Sequence, residues 1–336
     1  MRTGKLYIDG DDAYSRFGVW VVMGGYNELI AMPPLKSVTT NDWQEEDGVE
    51  ADLSAPVLNT RTVSIKFAIT GYDSRWYSFI KKISDRAYHL FEFAEIDRTY
   101  RLRLFSNPNY DEVKIFGTAT LKFADDFPLR GYSYRSPQAD IAQDSSYQMD
   151  GRDLTEYGVR ILQGTYSSIV KVADTKQNLL RNIDTKAGAI YDNGNVTFKS
   201  KEAKLICLMR AESQIALWRN WDALLYDLTR PDERTLYVEK FEQEFPFYYK
   251  SCQVNDFAVA ERPWLKFTLT IVMTGSFRIS DDDFVLATED GIIVFTEDGE
   301  NAIEMQPNRL KYPTLRLVNT RNILRLLGNG NMRMNN

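Results

Sequence analysis

The chain has 336 residues, 43% of them hydrophobic and 26% charged, which suits a globular protein of about two domains. Its 41 basic and 47 acidic residues give a net charge of −6, which argues against a protein that coats nucleic acid. Two cysteines exclude a disulfide scaffold, no apolar core of a secretory signal opens the chain, and no run approaches the roughly 20 apolar residues that span a bilayer. A soluble protein made in the cytoplasm is expected, with no membrane partner.

In chain order, a first unit is expected over residues 1–130. Residues 37–56 read as an extended hairpin, with Asp47-Gly48 as a favoured turn pair. Val63, Ile65, Phe67 and Ile69 then alternate with Ser64, Lys66 and Ala68, the pattern of a half-buried strand. Asp73 or Ser74 is placed to cap a helix, whose apolar stripe is Trp76, Phe79, Ile80, Ile83 and Ala87. Two more strands follow, one with Tyr100, Leu102 and Leu104 on one face, the other with Ile115, Gly117, Ala119, Leu121 and Phe123.

Residues 131–153 are polar and weakly periodic, so they read as a linker. A second unit, residues 154–283, repeats the first. Gly18-Val19, Gly24, Tyr26 and Lys36 return as Gly158-Val159, Gly164, Tyr166 and Lys176, all at a spacing of 140 residues. Ala203, Leu205, Cys207 and Met209 form its strand, and Leu217, Trp221, Leu224, Leu225 and Leu228 its helical stripe, ended at Pro231. Asn193-Gly194 marks a second hairpin, and Phe123 is matched with Met273, so the loops are expected to have lengthened. A spacing this long exceeds the roughly 20–50 residues of solenoid repeats and indicates two copies of a whole domain. Residues 284–336 hold Thr288-Glu289-Asp290-Gly291 and Thr296-Glu297-Asp298-Gly299, read as turns of a small meander, then a tail with six basic residues and no acidic one after Glu304.

No catalytic, cofactor-binding or metal-binding residue set emerges, and a non-enzyme is expected. His89, the only histidine, is read as a surface or packing residue, because catalysis needs a nucleophile, base and orienter together. The acidic runs at 45–47, 125–126 and 281–283 lack calcium-loop spacing and fall at element ends. Gly24-Gly25 lacks the Lys-Ser/Thr of a phosphate loop. Cys207 and Cys252 are expected as reduced core thiols. The basic tail interleaves leucines with its charges and reads as a segment that docks on acidic protein surface. Tyr132, Tyr134 and Tyr147 stand in the polar linker, as if for burial by a neighbour or for stacking on a sugar.

The run Asp52-Leu53-Ser54-Ala55-Pro56, the strand Arg61-Thr62-Val63-Ser64-Ile65-Lys66-Phe67 and the helix from Trp76 to Ala87 resemble the ring-forming domain of bacteriophage distal tail proteins. The tandem copy is similar to tail hub proteins, and the resemblance covers about residues 6–279. It implies two tail-tube-like split β-barrel domains in a mainly β fold with flanking helices (α+β). It further implies a virion component that self-associates into a ring, as a hexamer or as a trimer with pseudo-sixfold symmetry. Tail tube and tail tip or baseplate proteins would be its partners, with DNA only in transit through the lumen. Lys66, Arg101, Arg103, Lys114 and Lys122 are candidates for lining that lumen or a neighbour's groove. The resemblance carries over no catalytic residue, cofactor or metal. Many distal tail proteins attach a separate carbohydrate-binding domain where this chain repeats itself. A carbohydrate- or surface-binding adhesion module stands as the alternative function.

Overall fold

Two sheets with one strand order dominate the computed structural model, which describes residues 4–22, 24–70, 72–113, 116–177, 180–185, 187–191, 196–275, 284–285, 303–305, 314–317, 323–326 and 332–335. The first copy begins with β1 (Leu6–Ile8), β2 (Asp11–Asp12), α1 (Ala13–Phe17), β3 (Val19–Val21) and α2 (Asn27–Ile30). A short hairpin, β4 (Thr40–Asn41) with β5 (Glu50–Ala51), leads to β6 (Arg61–Thr70) and α3 (Tyr72–Ile83). Then come β7 (His89–Phe93), β8 (Arg98–Val113) and β9 (Phe116–Asp125). The second copy runs β10 (Tyr147–Met149), β11 (Arg152–Asp153), a 3-10 turn (Leu154–Tyr157), β12 (Val159–Ile161) and α4 (Thr165–Val170). Its hairpin is β13 (Leu180–Asn182) with β14 (Ala189–Tyr191), followed by β15 (Lys201–Arg210), α5 (Gln214–Leu228), β16 (Arg234–Val238), β17 (Gln243–Ala258) and β18 (Trp264–Met273).

The first sheet has the order β2-β1-β7-β8-β9-β6-β3 and the second β11-β10-β16-β17-β18-β15-β12. Replacing each strand by its counterpart turns one order into the other. The repeat is therefore one of topology, and the fold is mainly β with flanking helices, as expected.

Local chemistry shows why the glycines recur. Gly18 ends α1 at φ 65°, and a Cβ there would fall 2.4 Å from the Thr70 carbonyl oxygen. Gly158 ends the 3-10 turn at φ 76°, with the Arg210 carbonyl at the same 2.4 Å. Only glycine accepts both the left-handed backbone and the close strand at these two positions.

The alternating residues take the core as their period requires. Val63, Ile65, Phe67 and Ile69 are buried on β6, and Ala203, Leu205, Cys207 and Met209 on β15. Helix α3 sets Phe79 against Phe67, their rings 5.4 Å apart, with Trp76 packed on Phe79, while α5 lays Trp221 edge-on to Phe267 at 4.7 Å. One continuous apolar core runs through both copies.

Several expectations are corrected. Helix α3 starts at Tyr72, so Asp73 and Ser74 lie inside its first turn, and it ends at Ile83, leaving Ala87 exposed beyond it. The Ser84 hydroxyl donates to the Ile80 carbonyl there, satisfying a group the helix end leaves open. Val63 pairs with Phe123 and Ala203 with Ile271, so Phe123 corresponds to Ile271 and not to Met273. Strands β10 and β11 belong to the second sheet, so the linker stops short of Tyr147. The second hairpin turns through residues 183–188, and Asn193-Gly194 falls outside the described residues. So does the meander expected over residues 288–299. Around that stretch β19 (Phe284–Val285), β20 (Ile303–Met305), β21 (Thr314–Leu317), β22 (Ile323–Leu326) and β23 (Met332–Asn335) form an antiparallel sheet in sequence order, so part of the expected tail is strand.

Candidate functional site

The most built-up polar feature lies where the first copy meets the second. The loop of the β4–β5 hairpin closes over Lys176, whose side chain is 1% exposed. Its Nζ donates to the carbonyls of Trp43 at 2.6 Å and Gly48 at 2.7 Å and pairs with Asp42 at 2.5 Å. An ammonium is costly to bury unless oxygens replace its water, and here one loop brings all three. Backbone bonds seal the loop down. Gly48 N–H donates to the Phe198 carbonyl at 2.7 Å and Val49 N–H to the Thr274 carbonyl at 2.7 Å. The Asp47 carboxylate accepts from Phe198 N–H at 2.9 Å, and the Thr197 hydroxyl donates to the Gln44 carbonyl at 2.8 Å. Gly48, at φ 74°, sits so close that a Cβ would lie 1.7 Å from the Thr274 oxygen. The docked loop admits no side chain there.

Beside the hairpin, α2 and the chain after it meet β17 and α5. Trp221 Nε1 donates to the Ile30 carbonyl at 3.0 Å and Trp218 Nε1 to the Ile96 carbonyl at 2.6 Å. The Tyr249 hydroxyl donates to the Pro33 carbonyl at 2.9 Å, and Leu35 N–H to the Lys250 carbonyl at 3.0 Å. Arg98 forks onto Asp222 at 2.9 and 2.6 Å and stacks on Trp218, 4.4 Å from its centroid. Burial works against the Arg98 charge, but Tyr100 and Asp222 outweigh it and push its pKa above the ordinary range.

The linker also packs against the second copy. Asn220 both accepts from Gln138 N–H at 2.8 Å and donates to the Gln138 carbonyl at 2.9 Å. Tyr132 and Tyr134 lie against Tyr226, the Tyr134 hydroxyl donates to Asp227 at 3.0 Å, and Tyr147 packs on the core. These tyrosines are engaged within the chain, with Tyr134 keeping 38% of its surface exposed.

The remaining candidates scatter. His89 is 1% exposed on β7, with Nδ1 2.8 Å from Asp9 and Nε2 3.3 Å from Asp85 but outside hydrogen-bond alignment. It is a core packing residue and not a surface one. Burial disfavours the Asp9 charge, yet hydrogen bonds from His89, Leu90 N–H, Lys82 and Arg86 prevail and hold its carboxyl far below the usual range. The same position in the second copy is Asp150, which accepts from Thr235 N–H at 2.9 Å and pairs with Arg234 at 2.7 Å. Arg234 thus stands where the first copy has His89.

Asp125 pairs with Arg61 at 3.0 Å and Asp126 with Arg103 at 3.0 Å, while 281–283 lie outside the described residues. Of the proposed lumen set, Arg101 stacks over Tyr88 and Phe127, Lys66 is exposed, Lys122 is half-buried, and Lys114 lies outside the described residues. Cys207 and Cys252 are free thiols, and burial pushes the Cys252 thiol up to about 12. The sequence pattern marked Lys176 and Trp221 as repeat and helix residues. It gave no sign that both hold the other copy, because their partners lie 133 and 191 residues away.

No protein-family model and no curated protein matches the chain. Among solved structures, the crystal structure of SPP1 Dit (gp 19.1), described as a paradigm of the hub adsorption apparatus in phages infecting Gram-positive hosts, is 11% identical. It covers 81% of this chain and 99% of its own, at a TM-score of 0.28. Among the described residues, no helix is long and apolar enough to cross a membrane, and no cluster of His, Cys, Asp and Glu is gathered for a metal.

Proposed function

We propose that this chain is a structural subunit of a phage tail or phage-like injection machine, a distal tail or hub protein forming a ring between the tail tube and the tip or baseplate. The observation that carries this reading is the locked pair of copies. Two domains of one topology stand side by side through unlike faces, α2 and the chain after it against α5 and β17, and the β4–β5 hairpin against Lys176, Phe198 and Thr274. Repeating such a head-to-tail contact builds a closed ring when its rotation closes, and a closed ring protects open sheet edges. DNA or an effector would cross the lumen without sequence reading, and tube and tip proteins would sit above and below. Neither an enzyme nor a membrane partner is part of this reading. Native mass spectrometry and negative-stain images of the full chain at high concentration test it. Rings of three or six chains are expected, and a strict monomer would sink the idea.

A further inference from the structure

Each copy of the fold carries two faces, one that reaches forward and one that receives. Inside the chain, the forward face of the first copy is spent on the receiving face of the second. The other two faces remain, and they bear the marks of an unmade contact.

On the first copy the receiving position of Lys176 is taken by Lys36, 140 residues earlier, and it is exposed. Thr197, 7% exposed under the first hairpin, is matched by Val57 at 51%. The β17 bulge between Tyr249 and Ser251 presents the Lys250 carbonyl to Leu35, and the bulge between Leu104 and Ser106 places Phe105, 59% exposed, at that position. Counting back from the helix ends, Tyr77 on α3 matches Asp222 on α5, and its ring stands 71% exposed. These three apolar side chains stand exposed at positions equivalent to ones the internal contact occupies in the second copy.

The forward face of the second copy is equally unspent. Met32, buried at the internal interface, is matched by Val172 at 73% exposure. Leu35 N–H bonds Lys250, whereas its counterpart Thr175 N–H meets no acceptor among the described residues. The β13–β14 hairpin keeps the strand register of β4–β5, with Leu180 opposite Tyr191 where Thr40 is opposite Ala51, and extends it by the pair Asn182 and Ala189. Gly188, matching Gly48 at the same 140-residue spacing, holds φ 82° against 74°, yet among the described residues nothing lies within 4 Å of its would-be Cβ. A left-handed glycine wedged against a neighbour in one copy and facing open space in the other is a built socket piece without its socket.

We infer that the β13–β14 hairpin and the 171–175 segment dock onto Lys36, Val57, Phe105 and α3 of a second copy of this chain, reproducing the contact that joins the two copies within one chain. This rests on the ring reading above and specifies its interface. Lys36 then receives the Gly188 carbonyl, with Asp184 as the nearest acid of the loop. The contact between chains is the weaker of the two, because Asn182 and Ala187 stand where the first hairpin has Asp42 and Asp47. Assembly is therefore driven by concentration, while the internal contact forms on folding.

The test uses full-length protein in sedimentation and native mass spectrometry. Lys36→Asp with Phe105→Asp blocks only the receiving face, and Asp184→Lys with Val172→Asp only the forward face. All four residues are surface positions, so unchanged circular dichroism and melting confirm folding. Each pair is expected to raise the concentration of half-assembly about 100-fold. Mixing the two proteins should give a one-to-one dimer that grows no further, because one intact face of each kind remains. Rings that survive both pairs of substitutions, or mixtures that stay monomeric, would overturn this interface and leave the ring reading standing. A wild-type chain that never assembles would overturn both.

Discussion

Lys176 and Lys36 hold the same position in two copies of one fold, and their environments differ almost completely. One is sealed under a loop with three oxygen partners, while the other stands in solvent. The difference teaches that the position itself does not decide burial; the neighbour that covers it does. The largest effect is expected from breaking the covered one. Lys176→Ala strands the Trp43 and Gly48 carbonyls under the loop, while Asp42 stays half-exposed to water, and should cost about 3–4 kcal/mol in urea unfolding. Lys36→Ala in dilute monomer should stay within about 0.5 kcal/mol. Equal losses at the two positions would break the comparison.

The paired glycines sharpen it. Gly48→Ala meets both the left-handed backbone and the Thr274 oxygen, so a loss of about 3 kcal/mol is expected by thermal melting. Gly188→Ala meets only the backbone term, about 1–2 kcal/mol.

A smaller effect separates Asp9 from its counterpart Asp150. The carboxyl of Asp9 is held below its unfolded value, so its stabilisation is complete above about pH 4 and is lost as pH falls from there. Asp9→Asn should cost about 2 kcal/mol at pH 7, a modest figure because the group is partly exposed, and the gap from wild type should shrink steadily below pH 4. A gap constant down to pH 2 would show that the loss is not one of charge.

The smallest signal reports opening of the interface itself. Cys252 is partly exposed as a residue, but its thiol lies against the Met32 backbone, whereas Cys207 is inside the second copy's own core. Both should resist a thiol reagent at pH 8. In Lys176→Ala, Cys252 labelling should quicken severalfold while Cys207 labelling stays slow, read by mass spectrometry of peptides.

Much of the architecture was legible because strands and helices write their period into the chain. The alternation of Val63, Ile65, Phe67 and Ile69 and the stripe of Leu217, Trp221, Leu224 and Leu228 need no distant information. Strands of two or three residues, such as β10 and β11, carry too few positions to show a period, so the polar stretch reads as linker up to residue 153. His89 reads as a surface or packing residue at the helix exit, and only the sheet, by pairing β7 with β1, brings it inward onto Asp9.

The amino-acid sequence by itself determined that there are two copies, where their turns need glycine, and which faces of their strands are apolar. These follow from local backbone sterics and from periodicity, which act over a few residues. Which copy of a shared residue is buried, which loop covers it, and which faces stay open were decided only in the tertiary structure. There the first copy's hairpin reaches Lys176 across more than a hundred residues, and among the described residues no equivalent loop reaches Lys36.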